Sequence, residues 1–214
     1  MTKLLTKTEF NVFAFFYSKF GLQAFRLNTV KWFFSKQMLK KIIFKLVEAG
    51  WIKRIEKGLY QCNSPEENVK NIFEKRIEKE LNESNLPYCF SKASAAEIWS
   101  DEVYIQRSWE YSPIYINVLK KDLSKWKAFF ERKGVQFFTE MPSNVLGEFI
   151  VLNSLKKLSI EFHNQRPVEP LNETIAFCEK NSDLFEYILA YFQKKYKKKT
   201  SAGKEVLEKV SEAL

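Results

Sequence analysis

One group of donors and cations could recognise a polyanion. Ser35, Lys36, Gln37, Lys40, Lys41 and Lys45 fall within eleven residues, and Lys53, Arg54 and Lys57 follow closely. Amide and ammonium groups at this density can contact base edges and neutralise phosphates. Other constellations are poorer. Ser91, Lys92 and Ser94 could imitate a Ser/Lys nucleophile site, although helix capping and exposed turn polarity explain the same residues more simply. Glu161-Phe162-His163 alternates like a strand, so Glu161 and His163 share a face. One His and one carboxylate are too few ligands for a metal. His163 is the only histidine in the chain, which removes most His-based acid–base mechanisms. Cys62, Cys89 and Cys178 are odd in number, far apart and form no C-x-x-C, so buried free thiols are expected.

Charge distribution supports the first group. Residues 1–64 carry ten Lys and two Arg against Glu9, Glu48 and Glu56, which accounts for the whole net charge of +9. The rest of the chain is balanced. A basic stretch followed by a neutral one implies an anionic partner for the first alone, and nucleic acid is the leading candidate. A solvated lysine surface is the plain alternative.

These residues must be positioned by local elements. Thr6 or Thr8 can cap a first helix with Phe10, Phe13, Ala14 and Tyr17 inward and Gly21 as its stop. A short helix is expected over Asn28 to Phe34. Ser35 then caps a helix from Lys36 to Ala49, ended by Gly50. Leu39, Ile42, Ile43, Leu46 and Val47 form its buried stripe. The opposite face is centred on Gln37, Lys41, Phe44 and Glu48, with Lys40 and Lys45 beside it. Phe44 is expected to pack on a neighbouring element; contact with a thymine methyl is the other reading. From Trp51 to Cys62, two β-prone runs flank Glu56-Lys57-Gly58, a hairpin bearing Lys53, Arg54 and Lys57. Helices followed by a basic hairpin predict a winged helix-turn-helix over residues 1–64.

Ser64-Pro65 marks the boundary of a second unit, residues 65–214. A charged helix is expected from Glu66 to Leu81, with Val69, Ile72, Phe73 and Ile77 on one side. Strands are expected at Tyr88 to Phe90, Ile114 to Leu119, Val135 to Phe138, Glu148 to Leu152 and Ser159 to His163. Helices are expected after Ser91, from Asp122 or Ser124 to Arg132, and from Asn172 onward. The class is α+β: an N-terminal winged helix-turn-helix, then a mixed α/β domain with a small sheet and flanking helices. The run Lys194 to Lys199 is expected to end a helix. The 20 Phe could stack bases, but Phe13, Phe16, Phe25, Phe33, Phe129 and Phe130 follow core spacings.

The segment Ser35 to Tyr60 resembles the AbiEi-type antitoxins and related winged-helix regulators. The likeness is carried by Leu46-Val47-Glu48-Ala49-Gly50 and Lys57-Gly58-Leu59-Tyr60, with Phe90-Ser91-Lys92-Ala93-Ser94-Ala95 downstream. It implies the antitoxin half of a type IV toxin–antitoxin system that represses its own promoter. The second unit also resembles a minimal nucleotidyltransferase fold. That family uses a Gly-Ser turn and an Asp-x-Asp strand to hold a triphosphate and two metals. Here Phe90-Ser91 and Tyr115-Ile116-Asn117 stand at those places, without the carboxylates. Asp101, Glu102 and Glu110 do not replace them by spacing. The expectation is a sequence-specific double-stranded DNA-binding repressor without catalytic activity, cofactor or metal. Expected partners are its own promoter, with inverted repeats as one form, a cognate toxin and a second copy of the chain. Two alternatives are a protein-interaction module that neutralises a toxin directly and a nucleotidyltransferase-type enzyme acting on RNA. No run of eighteen apolar residues exists, and the expected address is the cytoplasm.

Overall fold

The computed structural model describes residues 5–30, 33–68, 77–105, 107–108 and 111–213. Helix α1 (Lys7–Phe20) starts on Thr6. The Thr6 hydroxyl accepts from the Glu9 N–H at 3.2 Å, and the Glu9 carboxylate accepts from the Thr6 N–H at 2.8 Å. This reciprocal cap satisfies two donors that a first turn leaves without helical partners. Gly21 ends the helix at φ +56, where a side chain would be strained. The buried face is Glu9, Val12, Phe13 and Phe16. It is rotated from the expected one: Ala14 is exposed, while Phe10 and Tyr17 are half-buried. A strand not anticipated from sequence, β1 (Ala24–Arg26), packs on this face. Its Phe25 stacks on Phe16 at 4.9 Å and on Phe20 at 4.8 Å.

Of the helix expected over Asn28 to Phe34, the described start is a 3-10 turn, Leu27–Val30, Phe33 and Phe34 are not helical, and Lys31 and Trp32 lie outside the described residues. Only Val30 of that turn is buried. Phe33 is 60% exposed, contrary to its expected core position. Helix α2 (Lys36–Glu48) follows Ser35 and buries Leu39, Ile42, Ile43 and Leu46. Each such burial contributes about 1.5–3 kcal/mol. Strands β2 (Ile52–Glu56) and β3 (Leu59–Cys62) form the expected hairpin, and β1 adds to it in the order β1-β3-β2, all antiparallel. Phe13 meets Trp51 edge-on at 4.8 Å inside this first core.

The expected helix from Glu66 to Leu81 is described only at its ends. Residues 65–68 are helical, and α3 (Ile77–Asn82) buries Ile77 and Leu81. Val69, Ile72 and Phe73 lie outside the described residues. A second sheet follows, larger than expected: six strands in the order β6-β7-β5-β4-β9-β8. They are β4 (Tyr88–Phe90), β5 (Tyr111–Leu119), β6 (Phe137–Phe138), β7 (Gly147–Leu155), β8 (Glu161–His163) and β9 (Arg166–Val168). Helix α4 (Lys92–Trp99) joins β4 to β5. Helix α5 (Leu123–Lys133) lies in the connection from β5 to β7, which pair in parallel over nine residues. A parallel pair requires such a crossover. Gly134 stops α5 in the left-handed conformation.

Helices α6 (Leu171–Lys180), α7 (Ser182–Tyr196) and α8 (Lys204–Ala213) complete the chain. Helix α6 opens at Leu171, one residue before the expected Asn172, with Pro170 as its N-cap. The protein is therefore mixed α/β. Its second core gathers around Trp126, Phe130, Ile116, Ile150 and Phe192. A third, smaller cluster holds Val145, Phe149 and Val151, and the residue after Val145 reaches the first core. Leu146 packs in the first core, and its N–H donates to the Leu5 carbonyl at 3.0 Å. Among the described residues no helix is long and apolar enough to cross a membrane.

Candidate nucleic-acid interface

Ser35 fixes the start of α2. Its Oγ accepts from the Met38 N–H at 3.3 Å, and its extended backbone turns the chain into the helix. The buried stripe then fixes the rotation. Lys36, Gln37, Lys40, Lys41, Phe44 and Glu48 are all exposed as a consequence. With a rise of about 1.5 Å per residue, Gln37 to Phe44 spans about 10 Å along one face. That face carries amide and ammonium donors at its amino end and a bare aromatic ring further along.

The hairpin is tied to the other end of α2. The Trp51 N–H donates to the Leu46 carbonyl at 2.9 Å, and Asn63 Nδ2 donates to the Gly50 carbonyl at 2.5 Å. Beyond this base, Lys53, Arg54, Ile55, Glu56 and Lys57 are exposed on both strand faces. Gly58 takes φ +82 to reverse the chain. Among the described residues, Lys36, Lys40, Lys41, Lys53, Arg54 and Lys57 have no carboxylate partner. Six such cations on a capped helix and the hairpin that follows it outnumber the exposed Glu48 and Glu56 and give a predominantly basic surface.

Two cations change place in this picture. Lys45, expected among the phosphate contacts, is half-buried and bonded to Glu9 of α1 at 2.5 Å. It holds the two helices together and leaves the free set. Arg26, on the unanticipated β1, is exposed beside the hairpin and meets Glu56 at 3.0 Å. The only sequence signal for it is the alternation Ala24-Phe25-Arg26 about one buried ring. Phe44 corrects a further expectation: it is 68% exposed rather than packed on a neighbour.

The Glu9–Lys45 pair sets a prediction. Burial pushes the Glu9 carboxyl up, but hydrogen bonds from Lys45 and Thr6 outweigh it and hold the group below its ordinary value of 4.5. Its charge therefore stabilises the fold above that ordinary value, and the contribution is lost as pH falls through the lower folded value. Lys45→Ala leaves a buried carboxylate without its cation. At neutral pH the loss should be about 1–3 kcal/mol. Denaturant titrations from pH 7 to 3 should show a shallower acid decline than the parent; an unchanged profile would contradict the pairing.

The second sheet organises its own polar groups around other tasks. Ser91 is fully buried, not an exposed turn residue, and Lys92 takes φ +52. The Lys92 N–H, first donor of α4, is bonded at 2.8 Å by the Glu169 carboxylate. Asn117 Nδ2 donates to the same carboxylate at 3.2 Å, and Asn153 Nδ2 donates to Asn117 Oδ1 at 2.8 Å. Asn117 and Asn153 are register partners on β5 and β7. Burial raises the Glu169 pKa, partly offset by the bonds from Lys92, Asn117 and Thr174. The seat an anion would take at this helix start is thus occupied by the chain's own carboxylate. Ser94 Oγ accepts from the Tyr115 N–H at 3.0 Å, a bond that locks α4 to β5.

His163 is equally committed. Its Nε2 lies 2.7 Å from Asp101 Oδ1, and Tyr191 and Lys195 bond the other oxygen. Burial pushes Asp101 up, but these three donors hold its carboxyl well below the usual carboxylate range. Glu161, two positions before His163 on β8, accepts from the Leu171 N–H at 3.5 Å. Arg166 binds Glu78 through two nitrogens, at 2.5 and 2.9 Å, and Glu102 at 2.6 Å. Glu110 lies outside the described residues. Within the run Lys194 to Lys199, Lys195 is taken by Asp101, and Lys197 leaves the helix in the left-handed conformation. All three thiols are buried and free; burial pushes Cys62 up to about 11 and Cys89 and Cys178 up to about 12. Among the described residues no group of three or more His, Cys, Asp or Glu could hold a metal ion. No family model matches this chain, and no curated protein matches it.

Proposed function

We propose that this chain is a sequence-specific, double-stranded DNA-binding repressor, an AbiEi-type antitoxin acting on its own promoter. In this reading residues 1–64 form a winged helix-turn-helix, with α2 as recognition helix and β2–β3 as wing, and residues 65–214 form the antitoxin domain. The carrying observation is the set of six cations without a carboxylate partner among the described residues, three on α2 beside the exposed Gln37 and three on the hairpin that follows it. Gln37 and Lys41 read base edges; Lys36, Lys40, Lys53, Arg54 and Lys57 neutralise phosphates. No reaction is assigned. Glu169 fills the amino end of α4, and Tyr115 and Asn117 on β5 stand where a metal-binding strand would need carboxylates.

Binding to the upstream promoter, compared with a shuffled duplex across salt concentrations, tests this. With about five phosphates neutralised, log K should fall against log salt with a slope near about −4.5. A slope near zero, or equal affinity for both duplexes, overturns the reading. A protein partner for the second unit is the other reading that an observation favours. Val103, Ile105, Leu184 and Tyr187 are exposed there, and Tyr104 stacks on Tyr187 at 6.0 Å between their rings. Co-purification with the product of the neighbouring gene would support it.

A further inference from the structure

Phe44 is the anomaly of the α2 surface. It lies one turn beyond Lys40 and Lys41 on the face that begins with Gln37, and it is 68% exposed. No aromatic or cationic neighbour covers its ring among the described residues. Every other position of that face is polar, and the ring exposes a large apolar surface among them. An occupant must combine negative charge, to suit the two lysines, with an apolar spot at the depth of the ring. The major-groove edge of duplex DNA offers one such spot, the C5-methyl group of thymine; the other base edges present only donors and acceptors.

We infer that Phe44 is a specificity-determining residue that packs against a thymine methyl in the major groove. The inference rests on the DNA-binding reading above. It predicts a narrow requirement: one or two thymines in the bound site, placed beyond the bases met by Gln37 and Lys41.

Replacing thymines one at a time by deoxyuridine removes the methyl and leaves base pairing intact. Parent protein should lose about three- to fivefold in affinity at one or two positions, the effect of one buried carbon. Phe44→Ala should bind the unmodified promoter more weakly and show no further loss at those positions. Phe44→Leu should recover part of both effects, and all three proteins should melt alike because the ring is largely exposed. Promoter preference with no deoxyuridine-sensitive position overturns this inference alone. Sensitivity that persists undiminished in Phe44→Ala also overturns it. Absence of any salt-sensitive promoter preference overturns the DNA-binding reading, and this inference with it.

Discussion

Lys40→Ala combined with Lys41→Ala should lower promoter affinity at least about tenfold while leaving the melting temperature almost unchanged. Both side chains are exposed on α2 and neither has a carboxylate partner among the described residues. Surface changes of this kind usually alter stability by less than about 0.5 kcal/mol. In the proposed interface they remove one base contact, worth about 1–3 kcal/mol, and one phosphate contact. The salt slope should therefore become shallower by about one. Binding isotherms at three or more salt concentrations measure both quantities. Lys45→Ala is the informative control: it should cost stability and leave the slope alone, because its ammonium is committed to Glu9. Equal affinity for the Lys40/Lys41 variant and the parent would remove α2 from the interface.

The second large effect concerns the first core. Phe16 is fully buried, stacked on Phe25 and close to Phe20 and Phe34. Phe16→Ala should cost about 3–5 kcal/mol, a large share of the about 5–15 kcal/mol that holds a typical domain. Apart from Leu146, every buried residue of the first cluster lies within residues 5–62. Loss should therefore concentrate in residues 5–62. Amide exchange should accelerate through α1, α2 and β1–β3, while β5 and β7 stay protected, and promoter binding should fall with it. Uniform acceleration across both sheets would show instead that the chain unfolds as one cooperative unit.

Much of the first unit was legible because its signals are local. Ser35, the stripe Leu39 to Leu46, Gly50 and Gly58 act within a turn or two of themselves, so periodicity and capping locate α2 and the hairpin. What escaped depends on distant partners. Strand β1 has three residues and becomes a strand only because β3 lies alongside, so local spacing does not announce it. Strand β9 is as short and exists through β4 and β8. Lys45 looks like its neighbouring lysines until Glu9, 36 residues earlier, is brought beneath it. Glu169 gave no local cue, since its role needs a helix start 77 residues before it. Phe44 was misread for a different reason: periodicity says which face is buried, but not whether another element covers the opposite one.

The three buried thiols serve neither the proposed interface nor any ion-pair cluster, yet they make the molecule its own reporter. Cys62 belongs to the first core, Cys178 to the second, and Cys89 lies fully buried on β4. A thiol raised well above its ordinary value reacts with an alkylating reagent only when its surroundings open. Labelling at Cys62 therefore times the opening of the basic unit, and labelling at Cys89 and Cys178 times that of the large sheet. Mass spectrometry can read both clocks from a single unmodified sample, with and without DNA.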